Sequence, residues 1–75
     1  MDDWLKQRAD ALAAASGIDR AALDLSDADA RALLALAKTA AHESGARTNA
    51  PLLCYLVGVA RAGGLSVDEL ADAIQ

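Results

Sequence analysis

The sequence predicts an all-α fold: a compact bundle of four helices plus one short extra turn, in a single domain spanning residues 1–75. Ala and Leu dominate a chain of 75 residues that is 55% hydrophobic, and both residues favour helices. Aromatic residues make up only 3% and β-branched residues are few, so little of the chain suits a β-strand. Asp, Ser, Asn and Pro also occur where helices begin, and Gly where they end.

The first helix is predicted to begin at a cap formed by Asp2 or Asp3 and to run to about Ser16. Gly17 follows at the position where a left-handed residue commonly ends a helix. The apolar residues of this helix recur at the spacing of one face: Leu5, Ala9, Leu12 and Ala13.

A single turn capped by Asp19 is predicted next, and the second helix begins after Ser26. Asp29 places a carboxylate close to the exposed amides of that helix, which Gly45 ends. We expect its buried face to consist of Ala30, Leu33, Leu34, Ala37, Ala40 and Ala41. The polar stripe consists of Asp27, Arg31, Lys38 and His42, with the first two at the spacing of an ion pair.

The third helix, about residues 50–62, is predicted to be capped by Asn49, with Pro51 in its first turn. Apolar residues surround most of its circumference, so we expect it to be the central and most enclosed helix. Gly58 lowers the helix propensity in its middle, which a closely crossing neighbour would explain.

The fourth helix has the clearest start, because Ser66 and Glu69 stand at the spacing of a capping box after the break at residues 63–64. Leu65 and Leu70 stand at the spacing of a hydrophobic staple around it. Its predicted buried face is Val67, Leu70, Ala71 and Ile74.

Charge and composition exclude several classes of function. The net charge of −4, with scattered basic residues, disfavours nucleic-acid binding, which needs a concentrated positive surface. One Cys and one His form neither an internal disulfide nor a zinc site, and no apolar run reaches the length of a membrane span. The acidic N-terminus lacks the basic region of a signal peptide. We therefore expect a soluble cytoplasmic protein without metal or cofactor.

The candidate functional residues lie around the connection between the second and third helices. Arg47, Thr48 and Asn49 precede a helix N-terminus, whose amides and dipole could hold a phosphate or carboxylate. His42 is either an anion contact, a general acid or base, or a residue that interacts with the helix dipole. Asn49 could also cap the free amides, and Arg47 could pair with nearby Glu43, which would leave no anion site.

Trp4 and Cys54 are two further candidates. Trp4 is either an exposed anchor for a partner or one of the two aromatic rings of a small core, and we expect the packing role. Cys54 has apolar neighbours that would not activate a thiol, so we expect it to be inert. No nucleophile–base pair or catalytic carboxylate pair is evident, and we expect no enzymatic activity.

Several short motifs resemble a family of small actinobacterial helical domains of unknown function. They are Trp4-Leu5, Ala41-His42, Arg47, Ala50-Pro51-Leu52 and Leu56-Val57-Gly58. Members of that family commonly have a Pro soon after the Arg, whereas Thr48-Asn49 follows Arg47 here. The family looks like one found alone or appended to molybdenum-cofactor guanylyltransferase-like proteins. The resemblance therefore implies an association with the biosynthesis of molybdopterin guanine dinucleotide, and such a transferase as a partner.

We therefore expect a non-catalytic accessory or protein-interaction domain whose working surface includes His42, Arg47, Asn49 and Trp4. Two alternatives stay open. One is a small anion- or nucleotide-binding domain that uses residues 42–51. The other is a structural homodimer without ligand, since a second copy would compensate for a small, alanine-rich core.

Overall fold

The structure, a computed structural model, describes residues 1–74 and consists of helices and the turns that join them. Its four α-helices are α1 (Asp3–Ser16), α2 (Asp27–Glu43), α3 (Asn49–Ala60) and α4 (Val67–Ile74). A separate 3-10 turn, Arg20–Leu23, follows α1, and a second, Arg61–Gly63, directly continues α3. No strand occurs within residues 1–74. The predicted bundle of four helices with one separate extra turn is confirmed.

Side-chain caps begin three of the helices as predicted. Asp2 Oδ1 accepts a hydrogen bond from the amide three residues later at 2.8 Å, and Ser26 Oγ does the same at 3.0 Å. The capping box of α4 is complete, because Ser66 and Glu69 each accept a hydrogen bond from the other's amide at 3.1 Å. Left-handed glycines stand where the breaks were predicted: Gly17 (φ 76°), Gly45 (φ 73°) and Gly64 (φ 100°).

The predicted cap of α3 is wrong. Asn49 is the first residue of the helix, and Thr48 precedes it without making a side-chain cap hydrogen bond. The backbone of the preceding turn supplies the contacts instead, because the amides of Asn49 and Ala50 donate to the carbonyls of Ala46 and Arg47, both at 3.1 Å. A helix entered through a hydrogen-bonded turn needs fewer side-chain partners for its first amides.

The core is small and lies between α2, α3 and α4. Leu36, Val57 and Val67, one from each helix, are buried against one another. Four partly buried side chains complete the cluster: Ala32, Leu33, Leu53 and Leu70. None of the residues in this cluster belongs to α1, which packs mainly against the first 3-10 turn.

The predicted buried face of α2 is wrong in its choice of one leucine. Leu34 was expected inside but is 72% exposed, whereas Leu36 is only 2% exposed. Since successive residues rotate by 100° around a helix, these two leucines lie on nearly opposite sides of α2. The polar stripe that includes Arg31 and His42 is exposed as expected, but Asp27 and Arg31 do not form an ion pair.

The expectation that α3 is the most enclosed helix is also wrong. Only Val57 is buried, while Leu53 and Cys54 are partly buried and the rest of the large apolar side chains face solvent. Gly58 has no neighbour that would explain it, because a Cβ at this position would meet nothing within 4 Å. The physical reason is the size of the bundle, since α2 and α4 pack against α3 and together they cover only one side of it.

The apolar faces of α1 and α4 are likewise only partly covered. In α1, Ala9 is buried, but Leu5 and Leu12 are exposed. In α4, Val67 and Ala71 are buried as predicted, whereas Ile74 is exposed at the end of the helix.

Two arginines make ion pairs between elements, and one of them attaches α1, which the core does not include. Arg20 Nε lies 2.6 Å from Asp10 Oδ1 of α1, and Arg20 Nη1 lies 2.8 Å from Asp24 Oδ1. The hydrogen bond to Asp10 raises the pKa of Arg20 above its ordinary value, although desolvation opposes the rise. The hydrogen bond to Asp24 raises this pKa by a smaller amount. Asp29 Oδ2 lies 3.3 Å from Arg61 Nη2, so this carboxylate joins the start of α2 to the end of α3. Asp29 also lies in the first turn of α2, as predicted, where a carboxylate is favourable near the helix N-terminus.

Candidate functional site

The structure brings His42 and Arg47 to one shallow groove of about 310 Å³, which Ala41 and Gly45 also line. His42 lies in the last turn of α2, and Arg47 in the turn that leads to α3. The left-handed Gly45 reverses the chain between them, so two residues five positions apart face the same space. Both side chains are exposed.

Asn49 lines a neighbouring groove between the end of α2 and the start of α3. This groove, of about 490 Å³, is mainly apolar: Leu52, Leu53, Leu56 and Ala40 line it, with Glu43 and Ser44 at its polar edge. Thr48 is exposed and lines neither groove. We call the two grooves together the α2–α3 corner. The corner therefore combines an apolar groove with polar side chains of both signs, Arg47 and Glu43.

The start of α3 offers few free donors to an anion. The amides of Asn49 and Ala50 already donate to carbonyls of the turn, and Pro51 has no amide hydrogen. Phosphate binding at a helix N-terminus depends on several free amides that point at the ligand. The chemistry of the corner is better suited to contacts made by the His42 and Arg47 side chains.

Trp4 lies on the surface rather than in the core, with 60% of its area exposed. The guanidinium carbon of Arg8 lies 4.7 Å from the centre of its ring, which is a cation–π distance. The expected packing role is therefore wrong. Trp4 lies on α1 and lines neither groove of the corner, so it does not join the other candidates in one site.

A feature outside the predicted site residues is an exposed apolar stripe on α3, the helix that the sequence suggested a second copy could help to cover. It consists of four side chains that are between 56% and 70% exposed: Leu52, Tyr55, Leu56 and Val59. Their spacing of i, i+3, i+4 and i+7 places them on one side of the helix, roughly opposite Val57. The sequence contains an indication of this exposed stripe, because a helix that is apolar all round needs more covering surface than a 75-residue chain can supply.

Few side chains of the described residues are arranged for catalysis. Within residues 1–74, no group of three or more His, Cys, Asp or Glu side chains is arranged to hold a metal ion. Cys54 is a free, partly buried thiol whose Sγ lies 3.9 Å from the carbonyl oxygen of Leu33. Most of the acidic side chains begin helices or pair with arginines, and Glu43 and Asp72 are the exceptions within residues 1–74.

In the described part of the chain, no single helix is long and apolar enough to cross a membrane. The segments Asn49–Gly63 and Val67–Ile74 reach the length and composition of a span only when taken together, and they are bent by 120° at the break between them.

Comparison with known proteins gives one match, which covers the whole chain. The family model DUF6457, described as a domain of unknown function, matches residues 1–75. No curated protein shows significant similarity to the chain, and no solved structure does. The four-helix chain with its α2–α3 corner therefore belongs to the DUF6457 family.

Proposed function

We propose that this chain is a non-catalytic accessory domain that binds another protein through the α2–α3 corner. The observation that carries the proposal is the combination found there: His42 and Arg47 line one groove, and the neighbouring groove is apolar with Leu52 and Leu53 in its lining. An apolar centre with a polar rim is the usual anatomy of a protein–protein contact, and Arg is enriched in such contacts.

The non-catalytic part of the proposal is supported by how the reactive groups are distributed. His42 and Cys54, the only residues of their types, lie on different helices, and Cys54 faces a backbone carbonyl. A general base must be within hydrogen-bonding reach of the group that it serves, and these two residues line no common groove.

The resemblance noted in the sequence identifies the first partner to test. We propose a molybdenum-cofactor guanylyltransferase as that partner, and a role beside it in the synthesis of molybdopterin guanine dinucleotide. The domain would then act in the cytoplasm of an actinobacterium, as the resemblance and the single cysteine lead us to expect. A polar edge that contains His42 and Arg47 suits an acidic patch on such an enzyme.

The experiment is an affinity pull-down from the native host with mass spectrometry as readout. Wild type is compared with the double variant His42→Ala/Arg47→Ala and with Arg31→Ala, a control that also removes one positive charge from an exposed face of the bundle. We expect wild type and Arg31→Ala to recover the guanylyltransferase and the double variant to lose most of it. Equal recovery by all three proteins would contradict the corner as the contact surface.

A second candidate function is supported by the placement of His42 and Arg47 in one groove, which suits a small anion. Titration of the isolated domain with inorganic phosphate and with guanine nucleotides tests it. An increase in melting temperature with wild type that Arg47→Ala abolishes would favour anion binding over protein binding.

A further inference from the structure

The exposed stripe on α3 extends beyond the surface that the proposed function uses, because Leu52 and Leu56 line the apolar groove of the α2–α3 corner whereas Tyr55 and Val59 line neither of its grooves. Its four members, Leu52, Tyr55, Leu56 and Val59, form a continuous apolar row along the helix. Single exposed apolar residues are ordinary on a protein surface, but a contiguous row of large ones marks an interaction surface. From the observations below we infer that a second copy of this chain covers the stripe, and that the protein is a two-fold symmetric dimer joined through α3.

The first observation is the excess of exposed surface. The chain has an accessible surface of 5392 Å², whereas a typical compact monomer of 7.7 kDa has about 4,300 Å². The difference, roughly 1,000 Å², exceeds the approximately 800 Å² that each partner removes from solvent in an interface of standard size. One dimer contact of standard size therefore removes most of this excess and leaves about 4,600 Å² exposed on each chain.

The second observation concerns charge. The α3 helix contains no Asp, Glu, Lys or Arg, although the chain as a whole carries 18 such residues as 11 acidic and 7 basic side chains. A two-fold contact through α4 would bring like charges together, because its charged side chains are all acidic, whereas α1 and α2 carry charges of both signs that such a contact would have to match. Contact through α3 avoids this repulsion in a chain whose net charge is −4.

The third observation is that the stripe is complementary to itself. In an antiparallel pair of α3 helices whose axis passes between positions 55 and 56, Leu52 lies opposite Val59 of the second copy. Tyr55 then lies opposite Leu56 of the second copy. Every large side chain of the stripe therefore meets another large apolar side chain, as an isologous interface requires.

An adjoining groove completes the surface. Leu56 also lines an apolar groove of about 230 Å³ between α3 and α4, together with Ala60, Leu70 and Ile74. Packed helices place ridges of side chains into grooves on their neighbours, so side chains of the second copy's α3 have this groove to pack into. Ile74, which α4 leaves exposed, becomes covered in this arrangement.

The test is the mass of the protein in solution, measured by light scattering after size-exclusion chromatography. Interfaces of this size give dissociation constants in the micromolar range or below, so a concentration of about 100 µM populates the dimer. We expect wild type to have twice the mass of the 7.7 kDa chain and Leu56→Glu to have half the wild-type value. The matched control is Leu34→Glu, which makes the same change at an exposed leucine of α2 and stays dimeric.

A mixing experiment distinguishes self-association from a general effect of charge. Residue 56 lies next to the proposed axis, so Leu56→Glu and Leu56→Lys are each monomeric alone, and a mixture of the two regains the dimer mass. If Leu56→Glu loses its helical circular dichroism, Tyr55→Ala replaces it, since that change only shortens an exposed side chain. We expect it to raise the dissociation constant at least about tenfold.

A wild-type protein that has the mass of one chain at about 100 µM would overturn the inference, and so would equal dimer mass in Leu56→Glu and Leu34→Glu. The two proposals share Leu52 and Leu56, but their tests use different variants, because the proposed function is tested at His42 and Arg47. A monomer that captures the guanylyltransferase refutes only the dimer. A dimer whose corner variant recovers as much partner as wild type refutes only the corner.

Discussion

Leu34 and Leu36 show how two identical residues in one helix acquire opposite environments. Leu36 is almost completely buried against α3 and α4, whereas Leu34 faces solvent. Both positions fit an apolar helical pattern, because alanines surround each of them. Which leucine enters the core depends on the rotation of α2 about its axis, and that rotation is decided by the helices that pack on it.

Gly58 is the residue at which we expect a substitution to stabilise the protein. Its backbone is helical and a Cβ meets no other atom, so Gly58→Ala should raise the free energy of unfolding by roughly 0.5–1 kcal/mol through helix propensity and reduced entropy of the unfolded chain. Denaturation with urea at fixed protein concentration measures this change.

The matched comparison is Gly64→Ala, at a residue with a φ of 100°. This substitution should lower the free energy of unfolding by roughly 1–2 kcal/mol, because an L-residue is strained in the left-handed region. A loss of stability in Gly58→Ala would instead indicate a neighbour packed against α3 at that point.

At the scale of the element, the helices of this chain begin in two different ways. Side chains cap α1, α2 and α4, whereas α3 continues directly from a hydrogen-bonded turn. Capping side chains satisfy amides that would otherwise lack partners, and the turn before α3 does the same with backbone carbonyls. The stability of α3 therefore depends less on the side chain at its first position.

This difference predicts opposite results for two substitutions. Ser66→Ala should lower the free energy of unfolding by about 1 kcal/mol, because it removes the hydroxyl that accepts from the Glu69 amide. Asn49→Ala should change it by less than about 0.5 kcal/mol, because that side chain is exposed and caps nothing. Urea denaturation of both variants checks the prediction, and a cost near that of Ser66→Ala at position 49 would mean that Asn49 is a cap after all.

At the scale of the whole molecule, the bundle consists of a three-helix core and a peripheral first helix. The buried cluster takes its residues from α2, α3 and α4. The attachment of α1 depends on Ala9, on its contact with the first 3-10 turn and on the ion pair between Arg20 and Asp10. Regions with few buried apolar contacts open more easily than the core.

We therefore expect the amides of α1 to exchange with deuterium well before those of α2–α4, with protection factors at least about tenfold lower in the middle of the helix. Arg20→Ala should speed exchange in α1 further and leave α4 unchanged, because Arg20 contacts Asp10 but none of the core residues. Mass spectrometry of deuterated peptides measures both effects. Uniform protection across all four helices would mean that α1 belongs to the cooperative core.

The candidate site was predictable in part. Residues 42–51 form one connection, so the sequence could place His42 near Arg47, and the structure brings both to one groove. The sequence could not show that Trp4 lies outside that site, because the distance between α1 and the corner depends on packing. The extent of the exposed stripe on α3 was not predictable, because the third helix was expected to be the most enclosed one and a second copy was considered only for the rest of it, whereas α2 and α4 cover just one side.

The sequence by itself determined the number of helices, most of their ends and the all-α class. These features depend on interactions within a few residues, such as the cap from Ser66 to Glu69 and the left-handed Gly17, and local interactions can be recognised in a linear chain. Only the tertiary structure decided which apolar faces are covered, because burial depends on contacts between distant segments. That is why Leu34 and the α3 stripe are exposed while Leu36 and Val57 are buried.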